Sequence, residues 1–353
     1  MTTAGKVLDC MEQSFDIGQQ AISIGTSIGI AVHPAHGNSS EELLRHAQAA
    51  MRGAKQNGST FQVYAADDDD DGSEALSLAN GLRQAIDNDE LQVYFQPKID
   101  LRRSRVCGME ALLRWRHPER GMIYPDVFIP LAEQTGLIEP LTRWVMNAAL
   151  KDSDQWRRGG LDFPISVNLS AKTLHNLDFP DSVKTLLEKW QLPASNLILE
   201  ITESAIIADV TRATETVTRL HAMGVTISID DFGTGYTSFS YIRRLPVTEI
   251  KIDKSYVLNM VKTADDRVIV GTLIELGHNL GLQVVAEGVE DAPTLDLLAK
   301  LGCDIGQGYY MSPPRDAQSI DAWLTDSEWG TSRAGTARVP PQSPESRPAS
   351  AAS

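Results

Sequence analysis

Two adjacent aspartates, Asp230 and Asp231, close a stretch in which Val225, Ile227 and Ile229 alternate with Thr226, Ser228 and Asp230. That period of two marks a β-strand, and Gly233 and Gly235 mark a loop after it. Carboxylates at contact distance repel, so something positive must sit beside them. Water or a lysine could suffice, and a hard divalent cation is the more specific answer. Further candidates lie on similar stretches. Asn168 alternates with Val167 and Leu169, Glu200 with Leu199 and Ile201, and Lys251 with Ile250 and Ile252. Glu287 ends another stretch, and Glu110 and Arg114 share one register. Because successive side chains point to opposite faces, Asn168, Glu200, Asp230, Lys251 and Glu287 can line one lumen. Each has an ordinary reading as a helix N-cap, contributing roughly 1 kcal/mol, or as a surface ion pair. Their coincidence on one face is harder to explain that way, since uncompensated buried charges are costly. The donor set is all oxygen, which points to Mg²⁺ or Mn²⁺ rather than zinc. An Asp-Asp pair suits two ions roughly 3.5–4 Å apart, as in phosphoester hydrolysis.

Eight strands are predicted to carry these residues, over 91–99, 106–115, 165–169, 197–202, 225–230, 249–253, 283–287 and 304–309. Amphipathic helices over 141–158, 182–190, 210–223, 267–280 and 293–301 fall between them. Eight strands with intervening helices in about 250 residues fit a (β/α)₈ barrel, whose C-terminal strand ends form one mouth. A doubly wound open sheet fits less well, because no GxGxxG follows the first strand. Residues 1–65 read as a small α/β piece, with strands over 21–25, 27–32 and 60–64 and a helix that Ser40 can cap. Residues 66–76 hold the run Asp67–Asp71 and are expected to form a solvated linker. Residues 326–353, rich in Pro, Gly, Ser, Arg and Ala, are expected to be a disordered tail.

Composition narrows the function. A formal net charge of -15 over 353 residues argues against a duplex-nucleic-acid binder, which needs a basic face. An anionic small ligand stays compatible if bound metal offsets the local charge. Cys10, Cys107 and Cys303 are far apart with no CxxC spacing, as expected of free thiols in a reducing compartment. No apolar run approaches a membrane span, and the N-terminus lacks a signal peptide's apolar core. A soluble, cytoplasmic protein is the expectation.

The order of short motifs along the barrel stretch then resembles one family. Phe95-Gln96-Pro97, Glu110-Ala111-Leu112-Leu113-Arg114-Trp115, "SVNLS", "LEITES", "DDFGTGYTS", "IKID", "AEGVE" and "QGYYMSPP" follow one another over 77–325. They resemble the EAL-domain cyclic-di-GMP phosphodiesterases. The resemblance implies a modified TIM barrel with one antiparallel strand that hydrolyses cyclic di-GMP to linear pGpG. It implies Glu110, Asn168, Glu200 and Asp230 as ligands of a first metal, and Asp231 as ligand of a second bridged by Asp230. Lys251 resembles the residue that positions or deprotonates the attacking water. Glu287 resembles a further acid of that network, with Glu290 and Asp253 around it, and Gln307 the glutamine near the water. Arg114 and Gln96 resemble substrate contacts, and Glu203 the anchor of the loop from Phe232 to Ser238. Thr248 departs from the family's usual aspartate, which places any doubt on local packing. A homodimer through the barrel is the family's habit. The "TSIGIAVHP" and "AMRGAKQNG" stretches resemble the C-terminal end of a GGDEF domain, without the GGDEF signature and with Gln48 and Arg52 where aspartate and tyrosine are usual. A non-catalytic cyclic-di-GMP receptor and a protein-interaction scaffold are the alternatives; the first would be expected to have lost ligands or the loop.

Overall fold

The computed structural model describes residues 3–11, 15–17, 20–22, 26–56, 59–65, 68–88, 90–234 and 245–330. The chain divides into two compact units, residues 1–84 and 85–353. In the first, the strands Ile28–Ile30 and Phe61–Val63 pair in parallel, with the helix Ser40–Gln56 beside them. That helix lies so close that a Cβ at Gly29 would collide with the Ala47 carbonyl and Met51. Its cap is Ser39 rather than Ser40. The Ser39 hydroxyl accepts from the Glu42 amide at 3.2 Å, and the Glu42 carboxylate accepts from the Ser39 amide at 3.3 Å, a reciprocal capping box. The Phe15–Ile17 and Gln20–Ile22 strands form an antiparallel pair. The expected strand over 21–25 is thus realised at Gln20–Ile22, and residues 23–25 lie outside the described residues.

Asp68–Asp71 of the acidic run open the helix Asp68–Asp87, where a solvated coil was expected, and Asp67 lies outside the described residues. Free amide groups and the macrodipole make a helix N-terminus favourable for carboxylates, which offsets the mutual repulsion that argued for a solvated coil.

In the second unit eight strands close into a barrel: β1 (Leu91–Asp100), β2 (Arg105–His117), β3 (Ile165–Leu169), β4 (Leu197–Thr202), β5 (Thr226–Phe232), β6 (Glu249–Ile252), β7 (Gln283–Ala286) and β8 (Ile305–Gln307). Strands β2 to β8 run parallel, each beside the next, and β1 closes the ring antiparallel to both β2 and β8. The one reversed strand is therefore β1, which reaches β2 through the tight turn at 101–104. Outside the ring lie α1 (Pro125–Thr135), α2 (Ile138–Arg158), α3 (Phe179–Trp190), α4 (Val210–Ala222), α5 (Ala264–Asn279), α6 (Ala292–Lys300) and α7 (Ala317–Asp326). Helix α1 was not expected from the sequence. Pro130 stands inside it and hides its periodicity.

The core lies between the ring and these helices. Ile165, Val167, Leu199, Ile201, Ile227, Ile229, Ile250 and Ile252 are buried from the strands, with Leu141, Met146, Ala149 and Leu150 from α2. Burying each large side chain contributes roughly 1.5–3 kcal/mol. The other parity of the same strands faces a lumen that is polar: Lys98, Glu110, Ser166, Glu200, Ser228, Glu249 and Lys251 are all buried. Barrel interiors are commonly filled by branched apolar side chains, so this departure marks where the charge was placed.

One other expectation changes in part. Trp329, in the expected tail, is held in place: its carbonyl accepts from the Val106 amide at 2.9 Å, and its ring meets Tyr310 edge-on. Residues 331–353 of the expected tail lie outside the described residues. Thr248 leads into β6, its amide donating to the Ile227 carbonyl at 3.0 Å and its own carbonyl accepting from Gln283 at 2.9 Å. These are backbone bonds, so the side chain found at 248 leaves them intact.

Candidate active site

The site is built around one ammonium group. Lys251 Nζ lies 2.6 Å from Glu287 Oε1, 2.7 Å from Glu200 Oε2, 3.0 Å from Asp230 Oδ1 and 3.7 Å from Glu110 Oε2. Strands β2, β4, β5 and β6 bring four of these side chains to the lumen, and Glu287 follows the last residue of β7. Asn168, on β3, donates to Glu110 Oε1 at 2.8 Å. Gln307, at the end of β8, donates to Glu110 Oε2 at 2.5 Å and to Gln96 Oε1 at 3.1 Å, and Gln96 donates to the Ser312 carbonyl. Asn168, Glu200, Asp230 and Lys251, which share one parity on their strands, thus come together at one lumen.

Asp231 needs more than parity. In a regular strand it would point away from Asp230. Along β5 and β6 the register runs Ile229 to Ile250 and then Phe232 to Ile252, so Asp230 and Asp231 together stand opposite Lys251. This is a β-bulge, and Asp231 takes a left-handed φ of 54° within it. Aspartate tolerates that conformation better than most residues, and such backbone outliers cluster at functional sites. The result is that oxygens of Asp230, Asp231 and Glu287 all lie within 4.8 Å of one another. Asp253 sits beside Asp231 and also caps the short helix after β6 through the Ser255 amide at 3.0 Å.

Electrostatics show a surplus of negative charge. Burial pushes Glu110 up to about 7, with Glu200 repelling it further and Lys251 pulling the other way. Burial also raises Glu287, where Asp230 and Glu200 add to the effect against Lys251. Asp231 is raised by burial and by its neighbours Asp230 and Asp253. Glu200 is the exception. Burial disfavours its charge, but Lys251 and Lys98 outweigh that and hold it below the usual carboxylate range. Burial opposes the charge on Lys251 too, and the carboxylates around it prevail, keeping it protonated. Two lysines thus face Glu110, Glu200, Asp230, Asp231, Glu249 and Glu287, too few to balance them. An all-oxygen donor set with unbalanced charge fits a hard divalent cation.

Above this floor opens a cleft of about 380 Å³, lined by Gln96, Glu110, Arg114, Asp230, Glu287, Glu290, Gln307 and Tyr309 among others. Arg114 is held by its own strand, donating to the Leu113 carbonyl at 2.8 Å, with its guanidinium 5.7 Å and 5.4 Å from the ring centroids of Tyr94 and Tyr124. Gln307 Oε1 is buried with no hydrogen-bond partner, an acceptor available to a donor in the cleft. Glu203 accepts from the Gly233 amide at 3.0 Å, as an anchor of the loop after Asp231 would. Residues 235–238 of that loop lie outside the described residues. Lys98 was missed by the sequence reading. Its only signal was the shared parity with Gln96, two residues before it.

The family model described as "EAL domain" matches residues 79–314. The chain belongs to the EAL domain family. A second family model, "Diguanylate cyclase, GGDEF domain", matches residues 1–60, in line with the resemblance of that stretch. Among relatives of this EAL chain, the bifunctional diguanylate cyclase/cyclic di-GMP phosphodiesterase MucR of Pseudomonas aeruginosa is 40% identical over 321 residues, covering 90% of this chain and 47% of its own length. The cyclic di-GMP phosphodiesterase PdeR of Escherichia coli is 35% identical, covering 91% and 48% respectively. The chain spans about half the length of the curated relatives it matches. Among solved structures, a c-di-GMP complex of the PaMucR phosphodiesterase superposes with a TM-score of 0.67 at 42% identity, covering 69% of this chain and 99% of that one. Among the described residues no helix is long and apolar enough to cross a membrane.

Proposed function

We propose that this barrel hydrolyses cyclic di-GMP to linear 5'-pGpG with the help of two Mg²⁺ or Mn²⁺ ions. The observation that carries the reading is Lys251 in an EAL barrel, whose ammonium is ringed by Glu110, Glu200, Asp230 and Glu287, three of which, Glu110, Asp230 and Glu287, line an open cleft. MucR and PdeR, named as phosphodiesterases of this nucleotide, support the choice of substrate. Glu110, Asn168, Glu200 and Asp230 would hold one ion, and Asp230 with Asp231 the other. Bound there, the ions lower the pKa of water and stabilise charge on the phosphoryl oxygens.

The chain's own groups do the rest. Lys251, protonated among its carboxylates, holds and orients the attacking water rather than removing its proton. Gln307 offers its free Oε1 to a proton of the same water. Arg114, steadied over Tyr94 and Tyr124, presents a planar guanidinium to phosphate oxygens along the cleft wall. The water oxygen joins phosphorus as the bond from phosphorus to the 3' oxygen breaks; the water gives up one proton and the leaving 3' oxygen takes one up, departing as a hydroxyl. Opening one of the two diester links leaves a 5'-phosphate on a linear dinucleotide.

Chromatographic analysis after incubating the purified protein with cyclic di-GMP and Mg²⁺ tests the reading. Wild type is expected to yield pGpG, and Glu110→Ala and Lys251→Ala to yield none. Tight binding of cyclic di-GMP with no product from wild type in either metal would instead identify a receptor.

A further inference from the structure

Beneath the cleft floor lies a second buried lysine, outside the ring of side chains described so far. Lys98, on the reversed strand β1, is 1% exposed, and its Nζ lies 2.7 Å from Glu200 Oε1 and 3.1 Å from Glu249 Oε1. Glu200 Oε2 lies 2.7 Å from Lys251. The Glu200 carboxylate is therefore clamped at both oxygens by two ammonium groups, one from β1 and one from β6. Lys98 does not line the cleft. We propose that Lys98 is a positioning residue for the reaction, acting through Glu200: it fixes the roll of that carboxylate so that Oε2 faces the site. The inference rests on the reading of Glu200 as a metal ligand.

Glu249 is what makes the arrangement workable. It is 3% exposed and stands one strand period before Lys251 on β6, at the level of Lys98. With Glu249 as a second partner, the Lys98 charge is balanced without drawing Glu200 down out of the site. Lys98, Lys251, Glu200 and Glu249 form a neutral set, and the unbalanced charge is left on Glu110, Asp230, Asp231 and Glu287. A purely stabilising role explains this poorly, because a buried ion pair is often no better for stability than apolar side chains of the same volume. Carboxylates that bind metal are in turn hydrogen-bonded by outer partners, and loss of such a partner costs about 10–100-fold in metal affinity.

The sign of the effect separates positioning from plain electrostatics. Deleting a positive charge next to a cation site strengthens cation binding if only charge matters. It weakens binding if the lysine orients a ligand. The experiment measures Mn²⁺ binding to the full chain without nucleotide, by calorimetry or by the electron spin resonance of free Mn²⁺. Wild type, Lys98→Met, Lys98→Arg and the Lys98→Met/Glu249→Gln double variant are compared, with thermal unfolding in chelator alongside. The double variant alters no net charge and leaves no unpaired buried charge, so it folds even if Lys98→Met does not. Expected are Mn²⁺ binding about 10–100-fold weaker in Lys98→Met and in the double variant, and a milder loss in Lys98→Arg. The Mn²⁺ concentration for half-maximal turnover should rise by the same factor. Unchanged or tighter Mn²⁺ binding by the double variant overturns the inference alone. Absence of Mn²⁺ binding by wild type overturns the metal reading of Glu200 and this inference with it.

Discussion

Replacing Lys251 with methionine removes the ammonium that stands within 3.7 Å of Glu110, Glu200, Asp230 and Glu287. At an effective dielectric of about 20, unit charges roughly 2.7 Å apart attract by about 6 kcal/mol, and desolvation offsets much of that. The observed cost of removing one partner from a buried pair is about 3–5 kcal/mol. At roughly 2–4 °C per kcal/mol for a domain of this size, the metal-free variant should melt about 6–20 °C below wild type. The deficit should depend on pH. Glu110, with its folded pKa pushed up to about 7 from 4.5, contributes stability that is fully present below 4.5 and is lost as pH rises through 7. Without Lys251, Glu110 and Glu287 lose an attraction that draws them down and are raised further, and Glu200 loses one of the two lysines that hold it low. The variant should therefore lie closest to wild type near pH 5 and furthest from it near pH 8, and Mn²⁺ should restore part of the loss. Calorimetric melting in chelator at both pH values, with and without Mn²⁺, reads this directly. A melting temperature equal to that of wild type near pH 8, or a deficit that ignores pH, would refute the reasoning.

Three further outcomes follow from the same geometry. Glu203→Ala removes the acceptor of the Gly233 amide, a bond to a charged group worth about 1.5–3 kcal/mol locally, and should lower turnover about tenfold or more while the fold is kept; parallel turnover and melting curves check it, and undiminished turnover would contradict it. Because Glu110 is raised to about 7 and Glu287 and Asp231 are raised as well, Mn²⁺ binding near pH 6 should release protons, and affinity should climb as pH rises through 7; calorimetry in two buffers of different ionisation heat measures the release. Ca²⁺, larger and more flexibly coordinated, should fail to support turnover when it replaces Mg²⁺, and equal activity with either ion would count against the two-metal reading.

The strands were legible because alternation survives in each one, and that parity carried Asn168, Glu200, Asp230 and Lys251 to a common lumen. The bulge was not legible. Nothing in the order of residues shows that Asp231 adopts a left-handed φ and joins Asp230 opposite Lys251, because a bulge is fixed by pairing with β6. Lys98 escaped for a related reason. A single lysine in an alternating stretch reads as a solvated side chain until the strand is known to cross the ring antiparallel and point it at Glu200 and Glu249. The helix at Asp68–Asp71 is hidden because like charges in sequence argue for a solvated coil, whereas a helix N-terminus favours carboxylates. The motif order across 77–325, by contrast, pointed to the EAL family from the residues alone, and the family match over 79–314 bears it out.

The most direct test of the account is hydrolysis of cyclic di-GMP by the full chain in oxygen-18 water with Mg²⁺, followed by mass analysis of the nucleotide. Linear pGpG carrying the heavy oxygen on its 5'-phosphate is the expected product of wild type and should be absent with Glu110→Ala. Unconsumed cyclic di-GMP, or a linear product without the label, would contradict it.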